Sequence, residues 1–162
     1  MNISIVIPNY NGKSLLEKNL PKMIAAVESY KKGKVDIVIS DDGSKDGSVD
    51  FLSEFIKKHK EKHISLQLVD NKVNRGFSVA VNSGARHATG DIIVLLNTDV
   101  NPHKGFLDPL VKHFEEDEKI FAVGCMDESI EDGKVVLRGR GVGKWRRGFL
   151  MHDAGKLDKT NT

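Results

Sequence analysis

Four short runs rich in isoleucine and valine recur along the first hundred residues, and polar residues follow each of them. The runs are Ile3–Ile7, Val35–Ser40, Ile64–Val69 and Ile92–Leu96. Their length and their β-branched side chains predict buried strands. Segments with apolar residues at helical spacing separate them. Strands that alternate with helices predict right-handed crossovers and a mostly parallel central sheet with helices on both faces, which is an α/β fold.

Three helices are predicted between the four runs. The first is predicted from Ser14, as its N-terminal cap, to about Tyr30, with Pro21 as a kink or as the start of a second segment. A second helix is predicted from Val49 to about Lys60. The third has a stripe of small residues that predicts close packing against the sheet, formed by Phe77, Ala80, Val81, Gly84, Ala85 and Ala88.

The chain beyond the fourth run gives weaker signals. A fourth helix is predicted after Pro102, with Leu107, Leu110, Val111 and Phe114 facing inward, and Ile120–Cys125 is predicted as a fifth strand. Cys125 is then expected to be a small core residue. Lys134–Leu137 is predicted as a sixth strand.

Composition and charge limit the class of protein. The chain has 162 residues, 39% hydrophobic and 30% charged, which is typical of a soluble globular protein. A single cysteine excludes an internal disulfide framework and fits a reducing, cytoplasmic compartment. No run approaches the roughly 20 apolar residues of a membrane helix, and no leader is evident. From Arg138 onward, seven Lys or Arg stand against two Asp. We therefore expect two parts, 1–137 and a basic, mobile segment 138–162.

Two common nucleotide-binding motifs are absent where this fold would need them. The turn after the first run is Pro8-Asn9-Tyr10-Asn11-Gly12, so the glycine-rich dinucleotide fingerprint is missing. Gly12-Lys13-Ser14 resembles the end of a P-loop, but its first glycine would fall at Ile7, inside the strand. Both designs are therefore rejected.

Carboxylates follow the predicted strands instead. Asp41 and Asp42 come after the second run, and Asp99 comes after the fourth. Ligands of open α/β sheets bind beyond the carboxyl ends of the strands. A carboxylate there can accept a hydrogen bond from a base or ribose, and Tyr10 offers a ring for stacking. Asp99 suits Mg²⁺ or Mn²⁺, which would bridge the phosphates of a nucleotide.

Four ordered motifs make the chain recognisable. They are Val6-Ile7-Pro8-Asn9-Tyr10-Asn11-Gly12, Ser40-Asp41-Asp42-Gly43-Ser44, Asn74-Arg75-Gly76-Phe77 with Asn82 and Gly84, and Gly90-Asp91 through Leu96-Asn97-Thr98-Asp99. Together they resemble the inverting family 2 glycosyltransferases, whose fold is the Rossmann-like GT-A fold. Each motif alone is weak, and the ordered set, over roughly residues 2–125, is specific.

The resemblance implies an enzyme that transfers a sugar from a UDP-, dTDP- or GDP-sugar to an acceptor hydroxyl with inversion. It implies that Pro8, Asn9 and Tyr10 line the nucleobase pocket, and that Asp41 contacts base or ribose with Asp42 supporting the turn. By the same resemblance Asn74, Arg75 and Gly76 border the diphosphate and sugar. Asn97-Thr98-Asp99 corresponds to the family's D-x-D site, in which Asp99 holds Mg²⁺ or Mn²⁺ and Asn97 stands where the first aspartate is usual.

The resemblance stops before the acceptor side of the family. No motif for the general base appears before Thr162, so we expect a donor-binding portion without a catalytic base of its own. The expected acceptor is a glycan, a lipid-linked glycan or a protein, and missing regions could bring peripheral membrane association. The alternative is a non-catalytic nucleotide-binding module. The basic segment 138–162 allows nucleic-acid binding, a mobile tail or donor contacts, and we expect no nucleic-acid partner.

Overall fold

The computed structural model describes residues 1–59, 63–138 and 141–154. The chain divides into two compact units, Met1–Lys112 and His113–Thr162. Strands and helices alternate along the first unit, and its last helix extends past Lys112 to Glu116. The elements are β1 Ile3–Asn9, α1 Lys13–Val27, β2 Val35–Asp41, α2 Ser48–Lys58, β3 Ile64–Asp70, α3 Phe77–His87, β4 Ile92–Leu95 and α4 Leu107–Glu116. The four predicted strands are confirmed.

The first unit is built on a parallel four-stranded sheet in the order β3-β2-β1-β4. One face of the sheet packs its isoleucines against α1, α2 and α4 in a single core cluster. Its members include Ile3, Ile5, Ile7, Ile37, Ile39, Leu16, Leu20, Met23, Leu52, Leu107 and Val111. The other face carries α3. The predicted α/β architecture with helices on both faces is therefore confirmed.

Helix α3 packs closely on the sheet at Gly84. A Cβ placed on Gly84 would lie 2.6 Å from Val6 Cγ1 and 3.2 Å from Ser40 Cβ. Ala80, one turn earlier, is also buried. The prediction that small residues bring this helix close to the sheet is confirmed, and only a residue without a side chain fits at position 84.

Gly84→Val is expected to lower the free energy of unfolding by about 2–3 kcal/mol, because overpacking a filled contact displaces the helix. Urea denaturation measures the change. Ser78→Val, on the exposed side of the same helix, is the control and should change stability by less than about 0.5 kcal/mol. Equal losses from the two variants would contradict the close packing at Gly84.

The N-terminus of α1 is capped from a distant loop. Lys13 N donates to Asp46 Oδ2 at 2.8 Å, and Ser48 N at the start of α2 donates to Asp46 Oδ1 at 3.0 Å. One carboxylate thus caps two helices. The prediction that Ser14 caps α1 is wrong, because Ser14 lies inside the helix. Pro21 also lies inside α1 and does not end it.

Asp46→Ala is expected to cost about 1–2 kcal/mol, since both helix starts lose an acceptor. Partial desolvation raises the pKa of Asp46, but hydrogen bonds from Ser48 and from the backbone of Lys13 outweigh it and hold the pKa below its ordinary value of 3.8. The contribution is therefore complete above about pH 4 and is lost as pH falls through the lowered pKa. Urea denaturation at pH 7 and pH 3 checks this, with Asp50→Ala as the control. A full effect that persists at pH 3 would contradict it.

The second unit contains two antiparallel hairpins. They pair β5 Asp127–Glu131 with β6 Lys134–Arg138, and β7 Gly141–Arg146 with β8 Phe149–Ala154. The strand predicted at Lys134–Leu137 is confirmed, but it belongs to a hairpin. The sequence predicted no strands for β7 and β8. Arg140, Lys156 and Lys159 of the basic segment lie outside the described residues, and its predicted boundary at 137/138 stays a prediction.

The strand predicted at Ile120–Cys125 is wrong. These residues have no regular structure, Phe121 is 98% exposed, and Cys125 is an exposed free thiol rather than a core residue. An apolar run forms a strand only where a neighbouring strand can pair with it, and within the described residues this run has none.

Among the described helices, none combines the length and apolar character that crossing a lipid bilayer requires.

Candidate nucleotide-sugar site

The carboxyl ends of the central strands meet at one edge of the sheet. Asn9 at the end of β1 is in register with Asp41 at the end of β2, and Asp41 is in register with Asp70 at the end of β3. On the other side of β1, Leu96 N donates to Val6 O at 3.1 Å, so β4 ends beside the same edge. The polar clusters that the sequence placed after each strand are therefore brought together.

Asp41 lies beneath this edge and is fully buried. Its Oδ2 accepts hydrogen bonds from Asn9 Nδ2 and Ser44 Oγ, both at 2.7 Å, and its Oδ1 accepts one from Ser44 N at 2.8 Å. Three donors thus occupy this carboxylate. Asp41 holds β1 and the turn after β2 together, and it does not line the pocket described below.

Asp42 points the other way, toward the loop before α3. Its carboxylate accepts from Arg75 N at 3.1 and 3.0 Å, and from Gly76 N at 2.7 Å. Its own N–H donates to Asn9 O at 2.8 Å. Asp42 is 2% exposed and yet borders the pocket. It therefore fixes the loop Asn74–Gly76 against the end of β1, and Asp42 itself forms part of the pocket lining.

A pocket of about 240 Å³ opens at this place. Eight residues line it: Pro8, Asn9, Tyr10, Asp42, Asn74, Gly76, Phe77 and Ala80. Six of the residues predicted for the donor site are thus brought together. Of the other predicted residues, Asp41 lies below the pocket, and Arg75, Asn97 and Asp99 are exposed and outside its lining.

Phe77 was missed as a site residue because its apolar character was assigned to the face of α3 that packs on the sheet. It is 66% exposed, and Tyr10 is 53% exposed. Two accessible aromatic rings border one small pocket, which suits stacking on a flat ligand. A signal for this was present in the sequence, since Phe77 directly follows the Asn74-Arg75-Gly76 loop.

Asn9 adds an acceptor that no described residue satisfies. Asn9 is 3% exposed, and its Oδ1 has no hydrogen-bond partner although the atom is buried. A Cβ on Gly12 would lie 2.3 Å from this oxygen. Glycine at position 12 is therefore required for the loop after β1 to pass over the Asn9 amide.

The segment Asn97-Thr98-Asp99 stands beside this loop. Thr98 Oγ1 lies 3.7 Å from the position that a Cβ on Gly12 would take. Val100 N donates to Asn97 O at 3.2 Å, which closes the segment into a turn. Asn97 and Asp99 are exposed, and Thr98 is half-buried.

The oxygen atoms of this turn are suitable ligands for a hard divalent cation. The carboxylate of Asp99 and the amide oxygen of Asn97 are oxygen ligands, which Mg²⁺ and Mn²⁺ prefer. The described residues contain no group of three or more His, Cys, Asp or Glu that could hold a metal ion. Such a turn suits a cation that takes one protein carboxylate and completes its coordination with phosphate oxygens and water.

The fold and this edge define an α/β protein whose strand ends carry carboxylates in place of a glycine cradle, at the edge where open α/β sheets bind their ligands. The family model described as Glycosyl transferase family 2 matches residues 4–161. The chain belongs to this family, and its first unit has the GT-A fold.

Two relatives illustrate the similarity. The chain is 31% identical over 138 residues to the probable glycosyltransferase YdaM of Bacillus subtilis (strain 168), covering 83% of this chain and 31% of YdaM. It is 36% identical over 101 residues to the undecaprenyl-phosphate 4-deoxy-4-formamido-L-arabinose transferase of Edwardsiella ictaluri (strain 93-146). This match covers 62% of this chain and 30% of the transferase. The chain thus spans about a third of the length of these relatives.

Solved structures show the same fold. S. aureus TarS 1-349 in complex with UDP superposes with a TM-score of 0.59 at 20% identity, over 72% of this chain and 32% of the TarS 1-349 chain. The mannosyltransferase PcManGT from Pyrobaculum calidifontis, in complex with GDP-Man and Mn²⁺, gives 0.60 at 26% identity, over 75% and 33%.

Proposed function

We propose that this chain is the donor-binding portion of a metal-dependent, inverting glycosyltransferase that uses a UDP-, dTDP- or GDP-sugar. The single observation that supports this most is the pocket at the strand ends, which joins Tyr10, Asp42 and Asn74 from three separate motifs. TarS and PcManGT, which share the fold, are known in complex with UDP and with GDP-Man.

The base is proposed to stack on Tyr10 and Phe77, which border the pocket. Asp42 then offers its carboxylate edge to a base N–H or a ribose hydroxyl, a role first expected for Asp41. Asp41, with its three donors, orients Asn9 and the turn at Ser44. Asn74 and Gly76 border the sugar and diphosphate, and the exposed guanidinium of Arg75 is available to pair with a phosphate.

Asp99 is proposed to hold Mg²⁺ or Mn²⁺, with Asn97 beside it. The cation, when bound, stabilises the negative charge that grows on the leaving diphosphate. The chain's own residues fix the base at one end of the donor and the diphosphate at the other. The anomeric carbon is thereby presented for a single displacement, which inverts its configuration. A general base on the acceptor hydroxyl is proposed to come from outside this chain.

The acceptor is proposed to be a glycan, a lipid-linked glycan or a protein, met in the cytoplasm, with any peripheral membrane contact supplied outside these residues. The chain's span of about a third of its relatives supports a donor-binding portion. The same observation favours a second candidate, a non-catalytic nucleotide-binding module. Metal-dependent hydrolysis or transfer of a nucleotide sugar by these 162 residues would exclude the second candidate.

Calorimetric titration with UDP, GDP, dTDP and ADP, each with and without Mn²⁺, tests the donor site. We expect at least one of UDP, GDP and dTDP to bind, and to bind more tightly with Mn²⁺. ADP should bind more weakly than the nucleotide that is preferred. Binding of none of them, or equal binding of ADP, would contradict the proposal.

A further inference from the structure

Helix α1 buries one polar side chain on its otherwise apolar inner face. Asn19 is 6% exposed, and the other buried residues of the helix are Leu16, Leu20, Met23, Ile24, Ala26 and Val27. A buried amide costs free energy unless it is hydrogen-bonded, so its partner explains its presence. Asn19 Nδ2 donates to the backbone oxygen of Thr98 at 2.9 Å, across 79 positions of sequence.

The accepting oxygen belongs to the peptide that joins Thr98 to Asp99. The peptide unit is planar, so a donor that holds its oxygen also fixes the direction in which the chain enters Asp99. The bond from Val100 N to Asn97 O closes the same turn from outside. Asn19 is therefore the described side chain that ties the turn of Asp99 to the core of the sheet, and α1 begins directly after the pocket loop that holds Tyr10.

We propose that Asn19 is a positioning residue for the metal-bound diphosphate, which it serves by holding the Thr98–Asp99 peptide in place before the cation arrives. The inference rests on the proposed function, since it takes Asp99 as the metal-holding residue. Asn19 touches neither metal nor nucleotide. Replacing Asn19 is expected to reduce the increase in nucleotide affinity that the cation gives. Binding of the base in the pocket should stay unchanged.

The test compares Asn19→Leu and Asn19→Asp with Leu20→Met. Leucine keeps the branching of asparagine at Cγ but has no donor, and aspartate brings a carboxylate against the Thr98 oxygen. Leu20→Met keeps the volume of a buried neighbour on α1, and Leu20 is not among the residues that line the pocket. For each protein the dissociation constant of the preferred nucleoside diphosphate is measured with and without Mn²⁺. Hydrogen exchange of the amides at 98–100 is measured without metal.

In Asn19→Leu and Asn19→Asp we expect the Mn²⁺ enhancement of affinity to fall about tenfold, as supporting partners of metal ligands typically give. Metal-free affinity should stay within about twofold, and the amides at 98–100 should exchange faster. Leu20→Met should match the wild type in all three. An unchanged enhancement in Asn19→Leu, or an equal loss of metal-free binding, overturns the inference.

The two hypotheses fail differently. If the wild type binds no nucleoside diphosphate in either condition, the proposed function fails and the inference with it. If Asp99→Asn removes the Mn²⁺ enhancement and Asn19→Leu keeps it, the donor site stands and only the role of Asn19 is overturned.

Discussion

Asp99→Asn is expected to abolish most of the affinity that Mn²⁺ adds to nucleoside diphosphate binding, a loss of about tenfold to hundredfold. The reason is electrostatic, because Asp99 is the one carboxylate of the turn Asn97-Thr98-Asp99. Removing its charge leaves this turn with neutral oxygen ligands only. Metal-free binding should change little, since the pocket lining does not include Asp99.

A matched control stands at the other end of the same strand. Asp91 precedes β4, and its Oδ2 accepts a hydrogen bond from Asn2 N at 2.7 Å. Asp91→Asn removes one negative charge and keeps an acceptor, so Mn²⁺ enhancement should persist in it. Calorimetry measures the Mn²⁺ enhancement of nucleotide affinity in both variants. An equal loss of this enhancement in the two would attribute the effect to net charge rather than to a metal ligand.

Asp41→Ala is expected to lower the free energy of unfolding by about 3–5 kcal/mol. The substitution removes a fully buried acceptor from Asn9 Nδ2 and Ser44 N. Urea denaturation at pH 7 measures the loss. Because Asn9 borders the pocket, weaker nucleotide binding is expected where the variant remains folded.

The control for this prediction lies on the neighbouring strand. Asp70 ends β3 in register with Asp41, but its partner Lys72 is 79% exposed. Surface ion pairs contribute little, so Asp70→Ala should cost about 1 kcal/mol or less. Similar losses of stability in the two alanine variants would contradict the proposal that Asp41 holds the end of β1 and the turn after β2 together.

The sheet and the location of its site could be predicted because both follow from local patterns. Runs of β-branched residues such as Ile3–Ile7 favour strands, and the carboxyl ends of neighbouring parallel strands lie at one edge of the sheet. Polar residues after those runs, such as Asp42 and Asn74, therefore had to meet at one edge. Six predicted residues do line one pocket.

The details that were missed depend on contacts between distant residues. The cap of α1 is Asp46, which lies 33 positions from Lys13, so no local cap signal could show it. Whether Ile120–Cys125 pairs as a strand depends on a partner that periodicity cannot supply. The division of work between Asp41 and Asp42 follows from the directions of two adjacent side chains, one toward Ser44 and the other toward Gly76.

The most direct measurement is a crystal structure of the chain with Mn²⁺ and whichever of UDP, GDP and dTDP binds most tightly. The account predicts the base in the pocket bordered by Tyr10, Asp42 and Phe77, and an anomalous Mn²⁺ peak within coordination distance of an Asp99 carboxylate oxygen. A nucleotide bound elsewhere, or a Mn²⁺ peak away from Asp99, would contradict it.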